Sequence, residues 1–239
     1  ISVSQSTRND LVDYAGVHPE RIDVVYNGAD LDRYSPQHRE QGKQLVLEKH
    51  AIANPYILYT ARLEHPGKNH VNLLEAFAKL KEKSGLPHHL VLAGSPWYGA
   101  DAVYAAARDL GIEEYVCFAG FVNDADLPLL YAGADLFVFP SLFEGFGIPL
   151  LEAMASGTPV CASNVSSIPE VVKNAGLLFN PRNADDIAAN MLRIILDSSL
   201  RDKLIRRGLR QPGLFSWDDS ARQVHNLCRV ACTSIPAAA

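Results

Sequence analysis

The segment with the clearest chemical potential is residues 144–152, which read EGFGIPLLE. It follows an apolar run at residues 135–139 that predicts a buried strand, and its Pro149 suits the first turn of a helix. Gly145 and Gly147 allow the backbone to approach a ligand closely. The free N–H groups and the positive dipole end of a helix N-terminus favour an anion such as phosphate. The segment therefore predicts an anion-tolerant loop that leads into a helix.

The two acids at the ends of this segment, Glu144 and Glu152, are predicted to act from different elements. A separation of eight residues corresponds to about 80° around a continuous helix, so the two carboxylates would not share one face. Glu144 precedes the helix and can accept hydrogen bonds from a ligand, whereas Glu152 offers two acceptor oxygens that suit the vicinal hydroxyls of a ribose. Alternatively, both acids only offset the helix dipole, by about 0.3–1 kcal/mol each. The two glutamates alone leave both interpretations open.

Two cations are predicted to lie at the same edge of the sheet. Arg62 directly follows an apolar run at residues 56–61, and Lys68 follows a Pro66-Gly67 turn and is expected to open the next helix. Open α/β folds bind ligands at the carboxyl ends of their strands. A guanidinium can grip two oxygens at once and an ammonium acts as a mobile point charge, so the pair suits a diphosphate. The alternative is two solvated surface charges.

Other kinds of site are disfavoured by residue spacing. Asp124-Ala125-Asp126 has the D-x-D spacing of a metal motif, but it stands at the start of a predicted helix, where Asp is a good cap. The histidines form no H-E-x-x-H pattern and the cysteines form no C-x-x-C pair, so we predict reduced thiols and no metal site. Residues 59–62 lack the G-x-G-x-x-G loop of a nicotinamide-dependent dehydrogenase, and Leu150 replaces its third glycine in the later segment.

The composition is that of a soluble globular chain. Its 239 residues are 48% hydrophobic and 21% charged, which is enough to bury a substantial core. The net charge of −5 argues against nucleic acid as a partner, and no apolar run approaches the ~20 residues of a membrane span. We therefore expect a cytoplasmic protein. Because the chain opens at Ile1 and its first methionine is Met154, we also expect that an N-terminal part is missing.

From Pro55 onward, short apolar runs alternate with stretches of helical period, which predicts an α/β fold with a doubly wound parallel sheet. The predicted strands are residues 56–61, 89–93, 116–119, 135–139, 159–162 and 177–179. The predicted helices are residues 69–83, 100–110, 126–132, 149–156, 185–210 and 217–230. Glycines expected to cap four of these helices are Gly85, Gly111, Gly133 and Gly157. In the first 50 residues we predict a strand end at 1–4, a helix at 7–14, a strand at 22–26 and a turn at Asn27-Gly28.

The chain resembles glycosyltransferase family 4, whose members have two Rossmann-like domains in the GT-B fold and carry an E-x7-E motif. The match to residues 144–152 is accompanied by five further similar segments, which together cover nearly all of residues 1–230. These segments are Asn27-Gly28-Ala29-Asp30, residues 62–68, residues 155–159, Ile168-Pro169-Glu170 and Phe215-Ser216-Trp217. The resemblance implies a remnant of the N-terminal domain and linker at 1–20, a nucleotide-sugar-binding Rossmann-like domain at 21–215 and a crossover helix at 216–236.

The resemblance also implies roles for individual residues. The donor sugar would be bound by Glu144, Gly145, Phe146 and Gly147, and the nucleotide ribose by Glu152. The donor diphosphate would be bound by Arg62, Lys68, Gly147 and Ile148. The segment with Phe121 and Val122 would supply backbone contacts to the base. Among these residues, Glu144, Arg62 and Lys68 would be catalytic.

As a function, the resemblance implies retaining, metal-independent transfer of a hexose of mannose or glucose type from a UDP-sugar or GDP-sugar to a glycan or lipid-linked acceptor. No cofactor is expected, because the two cations and the helix N-terminus would neutralise the leaving diphosphate. The missing N-terminal domain would supply the acceptor side and any peripheral association with the inner membrane face, so this stretch alone should bind donor without turnover. The alternatives are a sugar-nucleotide epimerase of the same architecture and a nucleotide-binding module without activity.

Overall fold

A six-stranded parallel sheet forms the centre of the protein, in a computed structural model that describes residues 1–233. The strands are β1 (Tyr56–Thr60), β2 (His89–Ala93), β3 (Val116–Gly120), β4 (Leu136–Phe139), β5 (Val160–Ser163) and β6 (Gly176–Phe179). Their spatial order is β3-β2-β1-β4-β5-β6, and every neighbouring pair is parallel. This is the order of a doubly wound Rossmann-like sheet, so the predicted fold class is confirmed.

The two central strands are buried on both faces, which explains why their sequences are apolar without alternation. Ile57, Leu58, Phe137 and Val138 have no exposed surface. Helices that cover both faces of a parallel sheet leave no side of the inner strands in contact with water. The core is therefore continuous through the sheet, and the polar residues that follow β1 and β4 lie at its edge.

Helices cover the sheet and connect its strands. In chain order, the helices that come before β4 are α1 (Gln5–Asp13), α2 (Arg39–His50), α3 (His70–Ser84), α4 (Ala100–Asp109) and α5 (Leu127–Gly133). Those that follow are α6 (Ile148–Ala155), α7 (Ile168–Val172), α8 (Ala184–Leu196), α9 (Ser198–Gly208) and α10 (Trp217–Thr233). The single helical region predicted at residues 185–210 is two helices, because Asp197 ends α8 and caps α9 by accepting from the Leu200 N–H at 2.9 Å.

Two helices were not predicted. The sequence of α2 is mostly polar, with only Gly42 and Val46 buried, so its periodicity is weak. It packs closely on α5, since a Cβ on Gly42 would lie 2.0 Å from the Leu129 carbonyl oxygen. Gly133, predicted to cap α5, instead belongs to the helix and forms the other side of this close contact. The second, α7, is only five residues long.

The N-terminal segment differs from the prediction. The helix expected at 7–14 is α1, but residues 22–26 form no strand; Val24 makes one isolated bridge with Ser2. The segment is held by Glu170, whose carboxylate accepts hydrogen bonds from the Gln5 and Ser6 N–H groups at 3.0 Å each. A carboxylate at a helix N-terminus also offsets the helix dipole.

The C-terminal helix α10 begins against the segment that contains Gly28. A Cβ on Gly28 would lie 2.3 Å from the Trp217 nitrogen, so only glycine allows this approach. Residues 234–236 of the predicted crossover helix lie outside the described residues. No helix within residues 1–233 is long and apolar enough to span a membrane.

The order of the strands reverses between β1 and β4. The chain leaves β1 towards β2 and leaves β4 towards β5, in opposite directions along the sheet. Such a switch point opens a crevice outside the carboxyl ends of the two strands. The loops that follow β1 and β4 therefore border one crevice.

The buried residue His70, at the start of α3, predicts a pH dependence of stability. Burial lowers the pKa of His70 to about 4, with a smaller contribution from the Lys68 charge. The unfolded chain then binds a proton below about pH 6.5 while the folded chain does not, so folding stability is lost as the pH falls towards 4. We expect His70→Gln to reduce the loss of unfolding free energy between pH 7 and pH 5 by about 1–2 kcal/mol, measured by urea unfolding. Equal pH slopes for both proteins would contradict this prediction.

Candidate functional site

A cavity of about 390 Å³ lies in the crevice between the β1 and β4 loops. Seven of the ten predicted site residues line it, although they come from two regions about 80 residues apart in sequence. These seven are Arg62, Lys68, Glu144, Gly145, Phe146, Gly147 and Ile148. The structure therefore brings the predicted cations and the predicted anion-tolerant loop into one site.

Lys68 lies in a loop whose backbone is fixed by hydrogen bonds from buried side chains. The buried Tyr59 hydroxyl donates to the Lys68 carbonyl at 2.9 Å. Asn69 adopts a left-handed conformation, and its amide donates to the carbonyls of Pro140 and Pro181 at 2.9 and 2.8 Å. Because α3 begins at His70, Lys68 does not open the helix as predicted. The Asn69 bonds hold the loop after β1 against the loops that follow β4 and β6.

Lys68 and Glu144, which the sequence assigned to different parts of a ligand, form an ion pair. The distance from Lys68 Nζ to Glu144 Oε1 is 2.8 Å, and the side chains are only 22% and 15% exposed. Such a half-buried pair is screened less than a surface pair, and both groups also remain at the cavity wall. Glu144 therefore neutralises the cation that faces the cavity.

Arg62 has its own carboxylate partner. Its Nη2 lies 3.2 Å from Glu64 Oε2, in a more exposed position than the first pair. Both cations of the cavity are therefore paired with acids. An anion that enters must share each cation with its acid or replace the acid.

The loop that carries Glu144 is fixed by two serines. Ser166 and Ser167 donate to the Glu144 carbonyl at 2.6 and 2.8 Å, and Ser167 also donates to the Phe146 carbonyl at 3.0 Å. Gly147 precedes α6 with φ of 106°, a value that favours glycine. Gly145 has no such conformation, so of the two glycines only Gly147 is required by the backbone.

The first turn of α6 offers few N–H groups to a ligand. Pro149 has none, and the Leu150 N–H donates to the Gly147 carbonyl at 3.1 Å. We therefore expect the N–H groups of Gly147 and Ile148 to face an anion there. The side chain of Phe146 is 3% exposed and packs between the rings of Tyr26 and Phe215, so it anchors this loop in the core.

Glu152 lies on α6 and lines a neighbouring cavity of about 810 Å³, which shares Ile148 with the first. The Tyr34 hydroxyl donates to Glu152 Oε1 at 2.8 Å, and the Tyr131 hydroxyl donates to Glu152 Oε2 at 2.9 Å. Burial raises the pKa of the Glu152 carboxyl, and the two hydroxyl groups partly oppose this shift. The structure thus places the two glutamates on different elements, Glu144 in the loop before α6 and Glu152 on the helix, and each oxygen of Glu152 has one fixed donor.

Phe121 and Val122, predicted near a nucleotide base, line neither cavity. They follow β3, two strands away from β1, and Phe121 is 78% exposed. Their loop nevertheless approaches the second cavity, because Arg33, which lines that cavity, donates to the Asp124 carbonyl at 2.7 Å.

The sequence predicted that the D-x-D segment caps α5, but the structure shows no such cap from Asp126. The Asp126 side chain makes no cap hydrogen bond with α5; it pairs with Lys49 and accepts from the Asn123 amide at 2.7 Å. The Asn123 side chain instead accepts from the Ala125 and Asp126 N–H groups at 3.0 and 2.9 Å. Within residues 1–233, no group of three or more His, Cys, Asp or Glu residues could hold a metal ion.

Sequence reasoning missed the residues that hold the site in place. Tyr34, Tyr131 and Ser166 contact the predicted glutamates, but they lie 118, 21 and 22 residues from them in sequence. Only Asn69 gave a local signal, since asparagine tolerates the left-handed conformation and often stands just before a helix.

Comparisons with known proteins show a family and a fold that the chain shares. The family described as "Glycosyl transferases group 1" matches residues 44–211. The chain is 37% identical over 228 residues to the O-antigen chain mannosyltransferase B of Escherichia coli, covering 95% of this chain and 59% of that relative. The chain thus spans about three fifths of that relative's length.

Solved structures share the fold. Anabaena Alr3699/HepE in complex with UDP-glucose superimposes with a TM-score of 0.84 at 25% identity, covering 96% of this chain and 63% of that chain. The C-terminal domain of the group 1 protein LpcC from Francisella tularensis superimposes with a TM-score of 0.65 at 25% identity, covering 77% of this chain and 96% of that domain. The six-stranded sheet thus matches one half of GT-B glycosyltransferase structures.

The tyrosine contacts to Glu152 predict a stability effect. Tyr34→Phe removes one hydroxyl donor from a largely buried carboxylate, and hydrogen bonds to charged groups contribute more than neutral ones. We expect a loss of about 1–2 kcal/mol in unfolding free energy, measured in urea at pH 7. The control is Tyr14→Phe, because the Tyr14 side chain is 87% exposed, and its effect should stay within about 0.5 kcal/mol. Equal effects of the two substitutions would contradict the role given to Tyr34.

Proposed function

We propose a function for this chain from one premise: it belongs to the group 1 glycosyltransferases. In this proposal the chain binds a nucleoside-diphosphate hexose, and the whole protein transfers the hexose to a glycan with retention of anomeric configuration, as its resemblance to family 4 implies. The observation that carries the proposal is the convergence of two cations, a helix N-terminus and Glu144 on one crevice at the switch point of the sheet, with Glu152 in the neighbouring cavity.

The first cavity suits the diphosphate and the sugar. Arg62 and Lys68 would bind phosphate oxygens, together with the N–H groups of Gly147 and Ile148. A guanidinium and backbone donors fix the position of these oxygens, while the ammonium contributes a point charge. The cavity volume of about 390 Å³ lies within the range of small-ligand sites.

The Lys68–Glu144 pair gives this arrangement an order of events. When the diphosphate attracts the ammonium, Glu144 is released from its partner and can turn towards the hexose. Departure of the diphosphate from the anomeric carbon places negative charge on phosphate and positive charge on the sugar ring. The cations and N–H dipoles stabilise the first charge, and the Glu144 carboxylate stabilises the second. The departing phosphate would accept the proton of the acceptor hydroxyl on the same face of the sugar.

Glu152 and the β3 loop would bind the nucleoside. Each Glu152 oxygen accepts from one tyrosine, which fixes the plane of the carboxylate and leaves its other lone pairs for the two ribose hydroxyls. The backbone around Phe121 and Val122 would then contact the base, because its loop approaches the second cavity where Arg33 donates to the Asp124 carbonyl.

The relatives favour mannose as the hexose and a polysaccharide as the acceptor. The relative that is 37% identical is named an O-antigen chain mannosyltransferase, and a second, 31% identical over 222 residues, is named a serotype-specific mannosyltransferase, also from Escherichia coli. The acceptor side would come from the part of the protein that corresponds to the rest of these relatives. We propose that transfer needs no metal, since the two cations and the α6 N-terminus carry the charge of the leaving group.

Substitution of the two cations tests diphosphate binding directly. Arg62→Ala and Lys68→Ala should each weaken the binding of UDP or GDP by about tenfold or more, since each removes a charge-assisted contact. The preferred nucleotide is first found with a panel of nucleoside diphosphates and their sugars, because a bound ligand raises the unfolding temperature. Affinities are then measured by calorimetry.

The matched control for these variants is Lys43→Ala. Lys43 is about half exposed, pairs with Glu40 and lies at the opposite edge of the sheet, so its removal should leave affinity unchanged. The proposed function fails when no nucleoside diphosphate binds the wild-type chain, or when both site variants bind as tightly as the control.

Substitutions of the two glutamates should weaken the binding of different ligands. Glu152→Gln should weaken nucleosides and nucleotides alike, by about tenfold, because it removes a charged acceptor from the ribose site. Glu144→Gln should leave nucleoside diphosphates bound equally or more tightly, since Glu144 competes for Lys68, and should weaken only the sugar nucleotide. Calorimetry with the nucleoside, the diphosphate and the diphosphate sugar distinguishes these outcomes. Parallel losses in both variants for the sugar-free diphosphate would refute the division.

A further inference from the structure

We propose that Trp97 is a positioning residue for Arg62, holding the guanidinium where it can bind the donor diphosphate; this rests on the proposed function. The Arg62 Cζ lies over the Trp97 ring, 4.9 Å from its centroid. Trp97 follows β2 and lies 35 residues from Arg62 in sequence. It is 58% exposed, so packing in the core does not explain its position.

The contact is set by backbone pairing that continues beyond the ends of β1 and β2. The Leu63 N–H donates to the Ser95 carbonyl at 3.0 Å, and the Trp97 N–H donates back to the Leu63 carbonyl at 3.1 Å. The His65 N–H then donates to the Tyr98 carbonyl at 3.1 Å. Successive backbone hydrogen bonds therefore join the two loops, and this pairing places Trp97 beside Arg62.

Gly94 makes this pairing possible. A Cβ at this position would lie 1.9 Å from the Ala61 carbonyl oxygen and 3.0 Å from the Arg62 nitrogen, so any other residue would push the loops apart. The close approach fixes the backbone of Arg62, and the indole ring then limits the orientations of its side chain.

The indole ring and Glu64 act on Arg62 in different ways. Glu64 uses a guanidinium N–H group and carries a negative charge, so it competes with a diphosphate for Arg62. A ring accepts through its face and leaves the remaining N–H donors of the guanidinium free for phosphate oxygens. Trp97 can therefore keep its contact while the diphosphate is bound, whereas Glu64 must share or release its own.

A side chain that is already oriented loses less freedom on binding, so the contact should increase affinity for the diphosphate alone. At exposed sites a cation–π contact corresponds to about two- to fivefold in an equilibrium constant. The effect should be absent for a ligand without phosphates, because Arg62 does not contact a nucleoside in the proposed arrangement.

The test compares Trp97→Ala, Trp97→Phe and the control Tyr98→Ala, which removes a neighbouring aromatic side chain that is 80% exposed. Calorimetric affinities are measured for GDP and UDP, and for guanosine and uridine. We expect Trp97→Ala to lower the affinity for the diphosphate about two- to fivefold. Trp97→Phe should retain most of the wild-type affinity, and Tyr98→Ala should have no effect. All three variants should bind the corresponding nucleoside like the wild type.

The same substitution in an Arg62→Ala background gives the decisive comparison. If Trp97 acts through Arg62, Trp97→Ala should produce no further loss there. The inference is overturned if Trp97→Ala matches Tyr98→Ala, if it weakens the nucleoside equally, or if its effect persists without Arg62. Absence of diphosphate binding by the wild-type chain would overturn the proposed function as well, whereas a loss in Arg62→Ala without a loss in Trp97→Ala overturns only the inference.

Discussion

The reversal of strand order between β1 and β4 is the constraint on which the site depends. Parallel neighbours align their carboxyl ends, and the opposite departures of the chain keep the crevice above these ends free of a crossing connection. Arg62 and Lys68 follow β1, while Glu144 follows β4, so their meeting is a consequence of topology. The apolar central strands are what make the topology stable, since they bury their side chains on both faces. The geometry of the site thus depends on apolar strands as well as on the polar residues that line it.

Charge balance within the crevice determines what can bind there. Each cation has an acid partner, at 2.8 Å for Lys68–Glu144 and 3.2 Å for Arg62–Glu64. A ligand with a single negative charge gains little binding free energy here, because it only replaces the carboxylate that already pairs with a cation. A ligand with several adjacent negative charges can engage both cations and the α6 N-terminus together, so it gains more than it displaces. Under the proposed function, the pairing therefore favours a diphosphate over a simple carboxylate or a monoanion.

The sequence allowed the fold to be predicted, and seven of the ten predicted site residues line one cavity, but the contacts among them could not be predicted. The strands were found because continuous apolar runs are typical of a buried parallel sheet, and the separation of Glu144 and Glu152 followed from helix geometry. The contacts Lys68–Glu144, Tyr34–Glu152 and Arg62–Trp97 join residues 76, 118 and 35 positions apart, and no local pattern encodes them. Helix α2 was missed for a related reason: its place is set by a close contact between glycines rather than by an apolar stripe.

The site combines fixed and adjustable groups, and under the proposed function this division matches the chemistry of a nucleotide sugar. Glu152 is held by two buried tyrosines, and the loop from Glu144 to Gly147 is held by serines. A ribose does not change during transfer, so a rigid acceptor serves it best. In the proposed transfer the diphosphate gains negative charge as its bond to the sugar breaks, and cations and N–H dipoles that already face it stabilise that charge. In this proposal Lys68 is the adjustable group, because it can exchange Glu144 for phosphate, whereas Trp97 holds Arg62 in place beside the fixed N-terminus of α6.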